Sequence, residues 1–403
     1  MNTLARWKVL SLFVLVAAVS QMLWLNYAPL ITQVMAKWSI SENKASLLLL
    51  VFPAIYVLLS VPAGKLIDQK GYRFSVGLGA VLMAGFSVLR IYEGSFAVAL
   101  IAQIGIAVGQ PFAVNGISKL VADWFDPSES AIATGLGTMG MFIGMAAGMA
   151  STPPLVEALG YQGAMVAYAA ISIAIAAGWV LIARTNPNAK PAEHTKDVAM
   201  LPLLKDRALV ILFALAFLGM GFFNGVTAWL EPILAPNGFD AVKAGAVGGV
   251  LIVGGIFGAV AVPALSDKFK MRKPFLIGSV MLALAALVPT VSSHSETLVM
   301  VSAAALGFFF LPAFALLLDM CATAAGEKAA GSATGLLMLF GNGGGVAVII
   351  GMQVVKGDAP TFERAVVLLY VIVAAAIALA FFAPETFKRQ AAEQRALAGA
   401  KSA

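Results

Sequence analysis

The sequence predicts an all-α membrane protein in which twelve transmembrane helices form two pseudo-symmetric six-helix halves. Three observations predict it. Of 403 residues, 61% are apolar and only 11% charged, and the mean hydropathy is +0.93, far outside the range of soluble domains. Apolar runs recur at roughly the 20-residue length that crosses a hydrocarbon core. The chain also repeats itself. "ATGL" at 133–136 returns at 333–336, and Leu66, Asp68 and Arg73 are matched by Leu265, Asp267 and Arg272, at offsets of 200 and 199 residues. Two short matches at nearly one offset, in corresponding places, mark a duplicated six plus six.

The spans fall near 9–35, 45–66, 74–92, 96–121, 131–156 and 162–183 in the first half, and near 209–234, 242–265, 275–292, 298–322, 329–355 and 362–383 in the second. The first is about 27 residues long with no small-residue cleavage site before the next loop, so it reads as a retained helix rather than a leader. Placing both termini in the cytoplasm puts 20 of the 26 Lys and Arg residues on the inner side, as the positive-inside rule requires. The halves are residues 1–186 and 208–403, the second ending in a short basic tail. The polar, proline-bearing stretch 187–207 is a cytoplasmic linker between them.

Several function classes drop out. The net charge of +6 is accounted for by topology and implies no nucleic acid. The single Cys321 excludes a disulfide framework and a cysteine metal cluster, and reads as a small buried helix residue. No nucleophile, metal cluster or pair of acids faces a cavity, and no phosphate-binding glycine loop ends in lysine; no enzyme activity, metal or cofactor is expected. His194 and His294 both fall in loops, so no imidazole is available inside the membrane. The expected partners are a small-molecule substrate and the lipid bilayer of a plasma or bacterial inner membrane, with the chain acting as a monomer.

The polar residues inside the spans carry the functional signal. Gln21, Trp24 and Tyr27 are spaced by three and share a face of the first helix; Gln103 and Gln110, two turns apart, share a face of the fourth. Trp24, Gln110, Asn224 and Asn342 each lie about halfway along their helix, the depth at which duplicated transporters bind substrate. Pro111 removes a backbone donor and frees the carbonyl of Ala107 beside Gln110. Gly343, Gly344 and Gly345 loosen the eleventh helix near Asn342. The competing reading is helix packing, since amides and small residues also join membrane helices; Gly140, Gly144 and Gly148 form such a packing stripe. Gln103, farther from the midplane, suits packing better than Gln110 does.

"GKLIDQKGYR" at 64–73 resembles the loop signature of the major facilitator superfamily, with Gln69 and Tyr72 where a basic residue is usual. "RWKVL" at 6–10, "QMLWLNY" in the first helix and "AQIGIAVGQPFAVNGISKLVADWF" at 102–125 resemble the branch related to the feline leukaemia virus subgroup C receptor, which is associated with choline, ethanolamine and haem. The resemblance implies the major facilitator fold and secondary transport. It also implies that Trp24 and Gln110 stand where that branch contacts a bound amine, whereas a tyrosine of the seventh helix becomes Asn224 and a glutamine of the eleventh becomes Asn342.

The charged residues divide between gates and coupling. Asp68 and Asp267, with Arg73 and Arg272, are expected to hold the cytoplasmic ends in one state and release them in another, Asp68 by accepting from a helix N-terminus and pairing with nearby cations. Lys119 and Asp319, 200 residues apart, end the fourth and tenth helices; Asp319 reads as a member of that clamp, or alternatively as a proton-coupling carboxylate. Glu231, before Pro232, is a candidate outer gate with Arg90 as its partner. Together these residues predict alternating-access transport of a small organic solute, most readily an amine such as choline or a neutral amphiphile. An organic anion carrier would need a cation at mid-depth, and the spans contain none. A proton-coupled exporter and a transporter-like receptor are the remaining alternatives.

Overall fold

The computed structural model describes residues 3–126, 129–187, 200–326 and 329–387, all of them helices, turns and short connections. His194, most of the expected linker, Lys328 and the basic tail from 388 onward lie outside the described residues.

The helices are α1 (Thr3–Leu25), α2 (Ile31–Trp38), α3 (Glu42–Leu89), α4 (Phe96–Val114), α5 (Gly116–Trp124), α6 (Ser130–Ile182), α7 (Met200–Leu203), α8 (Arg207–Leu234), α9 (Ala241–Phe269), α10 (Lys273–Ser292), α11 (Glu296–Ala325), α12 (Ala330–Lys356) and α13 (Glu363–Ala380). Among the described residues ten stretches are long and apolar enough to cross a membrane. Two of them, α3 and α6, run to 48 and 53 residues, more than twice the roughly 20 residues of one crossing. Each is broken at a glycine, Gly71 (φ 78°, ψ 164°) and Gly160 (φ 70°, ψ 170°), in backbone territory that is essentially restricted to glycine. The ten stretches therefore make twelve spans.

The break at Gly71 corrects the expected loop. Residues 64–70 remain helical, and the helix breaks at a single residue. Ile67 and Tyr72 are buried on either side, so the apolar face continues to the glycine. Two expected spans are also interrupted. The first stops at Leu25, turns through a 3-10 segment at Ala28–Leu30 and resumes as α2; the fourth breaks at Asn115 and resumes as α5.

The chain divides into two compact units, Met1–His194 with Thr227–Gly249, and Thr195–Val226 with Val250–Ala403. The segment 227–249 joins the first unit because glycines on α9 admit α6. A Cβ at Gly245 would stand 2.5 Å from the Met149 carbonyl oxygen, and one at Gly249 2.8 Å from the Ala150 Cβ.

Glycine seams set the packing inside each unit. In the first, Gly140, Gly144 and Gly148 of α6 lie on the backbone of α1 at Val14, Ala18 and Met22, a four-residue register on both helices. In the second, Gly344 of α12 lies in the same way on the Phe217 carbonyl of α8. Gly144 and Gly344 are 200 residues apart, and Ala18 and Phe217 are 199 apart, so the sequence repeat reappears as a repeated helix contact.

Gly144→Ala should therefore destabilise the protein by about 1–3 kcal/mol, because backbone cannot retreat from the new methyl. Gly135→Ala on the same helix meets nothing within 4 Å and should leave the melting temperature unchanged or slightly raised. Thermal unfolding of the two variants in detergent checks the pair.

Candidate functional site

The break in the first span organises the first unit. A helix that stops inside a membrane leaves carbonyls at one end and N–H groups at the other without partners. Here the Leu23 carbonyl accepts from Arg90 Nη1 and Gln103 Nε2, both at 3.3 Å. Arg90 also donates to Asn26 Oδ1 at 2.9 Å and lies 4.5 Å over the Tyr27 ring. It is 1% exposed, and a cation at a helix C-terminus is favourably placed. On the far side of the break, Glu231 Oε2 accepts from the Thr32 hydroxyl at 2.8 Å and the Thr32 N–H at 3.3 Å, in the first turn of α2. The expected Glu231–Arg90 pair is thus not formed; each residue caps a different end of the broken span.

Gln103 and Gln110 part company here. Gln103 is fully buried and also donates to the Leu48 carbonyl at 3.0 Å, which joins α1, α3 and α4. Gln110 is 5% exposed, and its amide makes no hydrogen bond with any described residue. Trp24 donates from Nε1 to the Leu49 carbonyl at 3.2 Å and stacks on Phe52 with ring centroids 6.0 Å apart. Gln21, one turn earlier, is buried with its Oε1 unpartnered. Tyr27 turns away to pair with the Tyr161 hydroxyl at 2.6 Å.

Two residues that sequence reasoning passed over belong to the same unit. The Tyr56 hydroxyl donates to Asn115 Oδ1 at 2.6 Å, and Asn115 Nδ2 donates to Ser60 at 3.4 Å. Both Tyr56 and Asn115 are half-buried. The signal was present in the Asn-Gly step of "FAVNGISK", which breaks α4 and turns a polar side chain toward α3.

In the second unit the two asparagines bond back along their own helices, Asn224 Nδ2 to the Met220 carbonyl at 2.8 Å and Asn342 Nδ2 to the Met338 carbonyl at 2.9 Å. Asn224 is buried and packs on Gly345, where a Cβ would come within 2.9 Å of Nδ2. Asn342 is half-buried.

The charged residues named for gating behave differently in the two units. Arg272 gathers an ionic cluster, with Nη1 2.5 Å from Asp267, Nε 2.8 Å from Asp319 and Nη1 2.9 Å from the Ser266 hydroxyl. Burial works against its charge, but the hydrogen bonds and charges of Asp319 and Asp267 outweigh burial and raise its pKa above the ordinary arginine value. Glu385, which the sequence did not single out, accepts from the backbone N–H groups of Arg272 and Lys273 at 3.0–3.1 Å and caps α10. Asp68 and Arg73 are exposed and have no ion pair among the described residues. The pairing expected for Asp68 is absent because α3 continues as helix through Lys70 and leaves it on an open face. Lys119 pairs with Asp123 on its own helix at 2.5 Å.

The sequence profile of the Major Facilitator Superfamily matches residues 13–349. The chain belongs to the major facilitator superfamily. It is an integral, multi-pass membrane transporter, in a superfamily of secondary transporters rather than enzymes. Among similar proteins, one from Archaeoglobus fulgidus is 40% identical over 152 residues, covering 37% of this chain and 69% of that one. A zebrafish (Danio rerio) choline/ethanolamine transporter, flvcr2b, is 22% identical over 359 residues, covering 82% of this chain and 74% of its own. In three dimensions this superfamily fold is shared with a bacterial homologue of the human lysosomal transporter Spinster, with a TM-score of 0.77, 16% identity, and 95% and 97% of the two chains covered.

Asp319→Asn removes the charge facing Arg272 Nε, and should lower stability by about 1 kcal/mol, discounted because the carboxylate is partly exposed. Asp68→Asn, with no partner to lose, should leave the melting temperature unchanged. Thermal unfolding of the two proteins side by side makes the comparison.

Proposed function

We propose that this transporter carries a small amine such as choline, or a neutral amphiphile of similar size, by alternating access. The observation that carries this reading is Gln110, only 5% exposed in a membrane span, whose amide makes no hydrogen bond among the described residues and, unlike Gln21 Oε1, is not sealed from access. A buried polar group costs free energy unless it finds a partner, and a bound hydroxyl or amine headgroup supplies one. Trp24, ordered by Leu49 and Phe52, supplies a ring of the kind that attracts cations, at about 2 kcal/mol when desolvated. The zebrafish relative, named as a choline/ethanolamine transporter, supports the same substrate class.

In the first unit, Trp24 and Gln110 are the proposed contacts, with Gln21 one turn before Trp24 on α1; Gln103 and Tyr27 hold the broken helix in place. In the second unit, Asn342 and Asn224 are the proposed contacts, although Asn224 offers no aromatic wall in place of tyrosine. Arg272, Asp267 and Asp319 form the proposed gate at the cytoplasmic ends of α9 and α11, and Asp68, Arg73 and Lys119 occupy the corresponding places in the first half. The halves 1–186 and 208–403, joined by the linker 187–207, move as the two arms of a monomer. Both termini are cytoplasmic, and the membrane is a plasma or bacterial inner membrane.

Gln110→Ala should weaken choline binding by about 1 kcal/mol, the worth of one neutral hydrogen bond, with little change in melting temperature. Gln103→Ala should do the reverse, because its amide holds the carbonyls of Leu23 and Leu48. Calorimetric titration and thermal unfolding of both variants separate the readings. A stability loss with unchanged affinity at Gln110 would remove it from the site.

Asp68→Asn should lower transport turnover several-fold while leaving choline affinity unchanged, because a gate residue biases the access states without touching the ligand. Uptake into proteoliposomes, compared with binding to the same preparation, tests this role.

A further inference from the structure

We propose that Glu231 recognises the cationic group of the transported solute on its extracellular approach. This site is distinct from Trp24 and Gln110, and the proposal rests on the amine reading above.

Glu231 is the one buried acidic side chain among the described residues, at 6% exposure near the end of α8. A carboxylate in such surroundings is costly unless positive groups compensate it, and an ionisable residue within a membrane span calls for a functional partner. Its compensation is incomplete. Oε2 takes the hydroxyl and N–H of Thr32, where the first turn of α2 supplies a fraction of a positive charge. Oε1 makes no hydrogen bond among the described residues.

Among the described residues, no lysine or arginine pairs with Glu231. Arg90, the buried cation, is committed to the Leu23 carbonyl, Asn26 and the Tyr27 ring. Lys37 is held by Glu93 at 2.8 Å and lies 4.8 Å over the Tyr161 ring. Glu42 lies within electrostatic range of Glu231 and adds negative charge rather than removing it.

The backbone adds a second acceptor. Pro232 follows Glu231 inside the helix, and its ring nitrogen cannot donate to the carbonyl four residues back, that of Ala228. A helix-free carbonyl therefore lies one turn from a half-coordinated carboxylate. An acceptor-rich, negatively charged, anchored group of this kind suits an ammonium and rejects a carboxylate or phosphate. It gives the protein a source of charge selectivity that the neutral side chains of Trp24 and Gln110 lack.

The test uses the purified full-length chain with choline and with 3,3-dimethylbutan-1-ol, its uncharged carbon isostere. Wild-type protein should prefer choline. Glu231→Gln retains an acceptor for Thr32 and should lower choline affinity about tenfold, the scale of one charge-assisted contact, while changing affinity for the isostere less than twofold. Thr32→Val keeps the carboxylate and should keep the preference, even where its melting temperature falls. Full cation preference in a folded Glu231→Gln protein overturns the proposal. So does unchanged preference accompanied by a lost pH response of transport, which would make the residue a proton carrier. Wild-type protein stabilised by carboxylates but by neither choline nor its isostere would overturn the amine reading itself.

Discussion

The interruption of the first span is the constraint on which most of the first unit depends. A continuous helix would satisfy its own backbone; a broken one inside a membrane must borrow partners from its neighbours. The Leu23 carbonyl takes them from the end of α3 through Arg90 and from α4 through Gln103, and the Thr32 N–H takes one from α8 through Glu231. The signs are those that the two helix ends require, a cation at the carbonyl end and an anion at the N–H end. One break thus fixes three other helices against α1 and α2. It also places Trp24 in the last turn of α1, where its indole reaches α3 rather than lipid.

Close backbone approach supplies the rest of the order. Without a hydrophobic drive between helices in lipid, association relies on contact area and small residues. The α1–α6 seam of the first unit and the α8–α12 seam of the second provide it at equivalent places. The same geometry limits what each seam tolerates. Backbone pressed on backbone cannot absorb a methyl group, whereas open positions such as Gly135 can.

Much of this was legible in the sequence, and the rest failed for identifiable reasons. Composition and apolar length exposed the spans, and the two repeated motifs exposed the duplication, because both signals are long or doubled. The difference between Gln103 and Gln110 was legible only as a distance from mid-depth; which amide finds carbonyls depends on where α1 breaks, and "LNYAPL" did not stand out as a break inside an apolar run. The charges of Arg90 and Glu231 suggest a mutual pair, because opposite signs at similar depth look complementary. Backbone ends claimed both instead. Tyr56, Asn115 and Glu385 are not legible in the sequence because their partners lie 55 residues away or more, beyond any local pattern.

The two copies of the repeated loop show how a duplicated backbone can keep its geometry while changing its chemistry. In the second half Arg272 is drawn inward by Asp319, and Glu385 caps the helix that begins beside it. The position 200 residues earlier than Asp319 is Lys119, of the opposite sign. A residue there cannot draw Arg73 inward, and it turns instead to Asp123. Arg73 is accordingly exposed, and the first half closes its corner with aromatic groups: Tyr72 donates to the Arg184 carbonyl, Trp124 to the Tyr72 hydroxyl and Trp179 to the Arg73 carbonyl. One corner is held by charges that salt and pH can reach, the other by neutral hydrogen bonds and ring contacts that salt leaves alone. The two corners are thus held by different chemistry, and the difference includes both the opposite signs of Lys119 and Asp319 and the aromatic Tyr72 and Trp124, which stand where the second half has Met271 and Ala324.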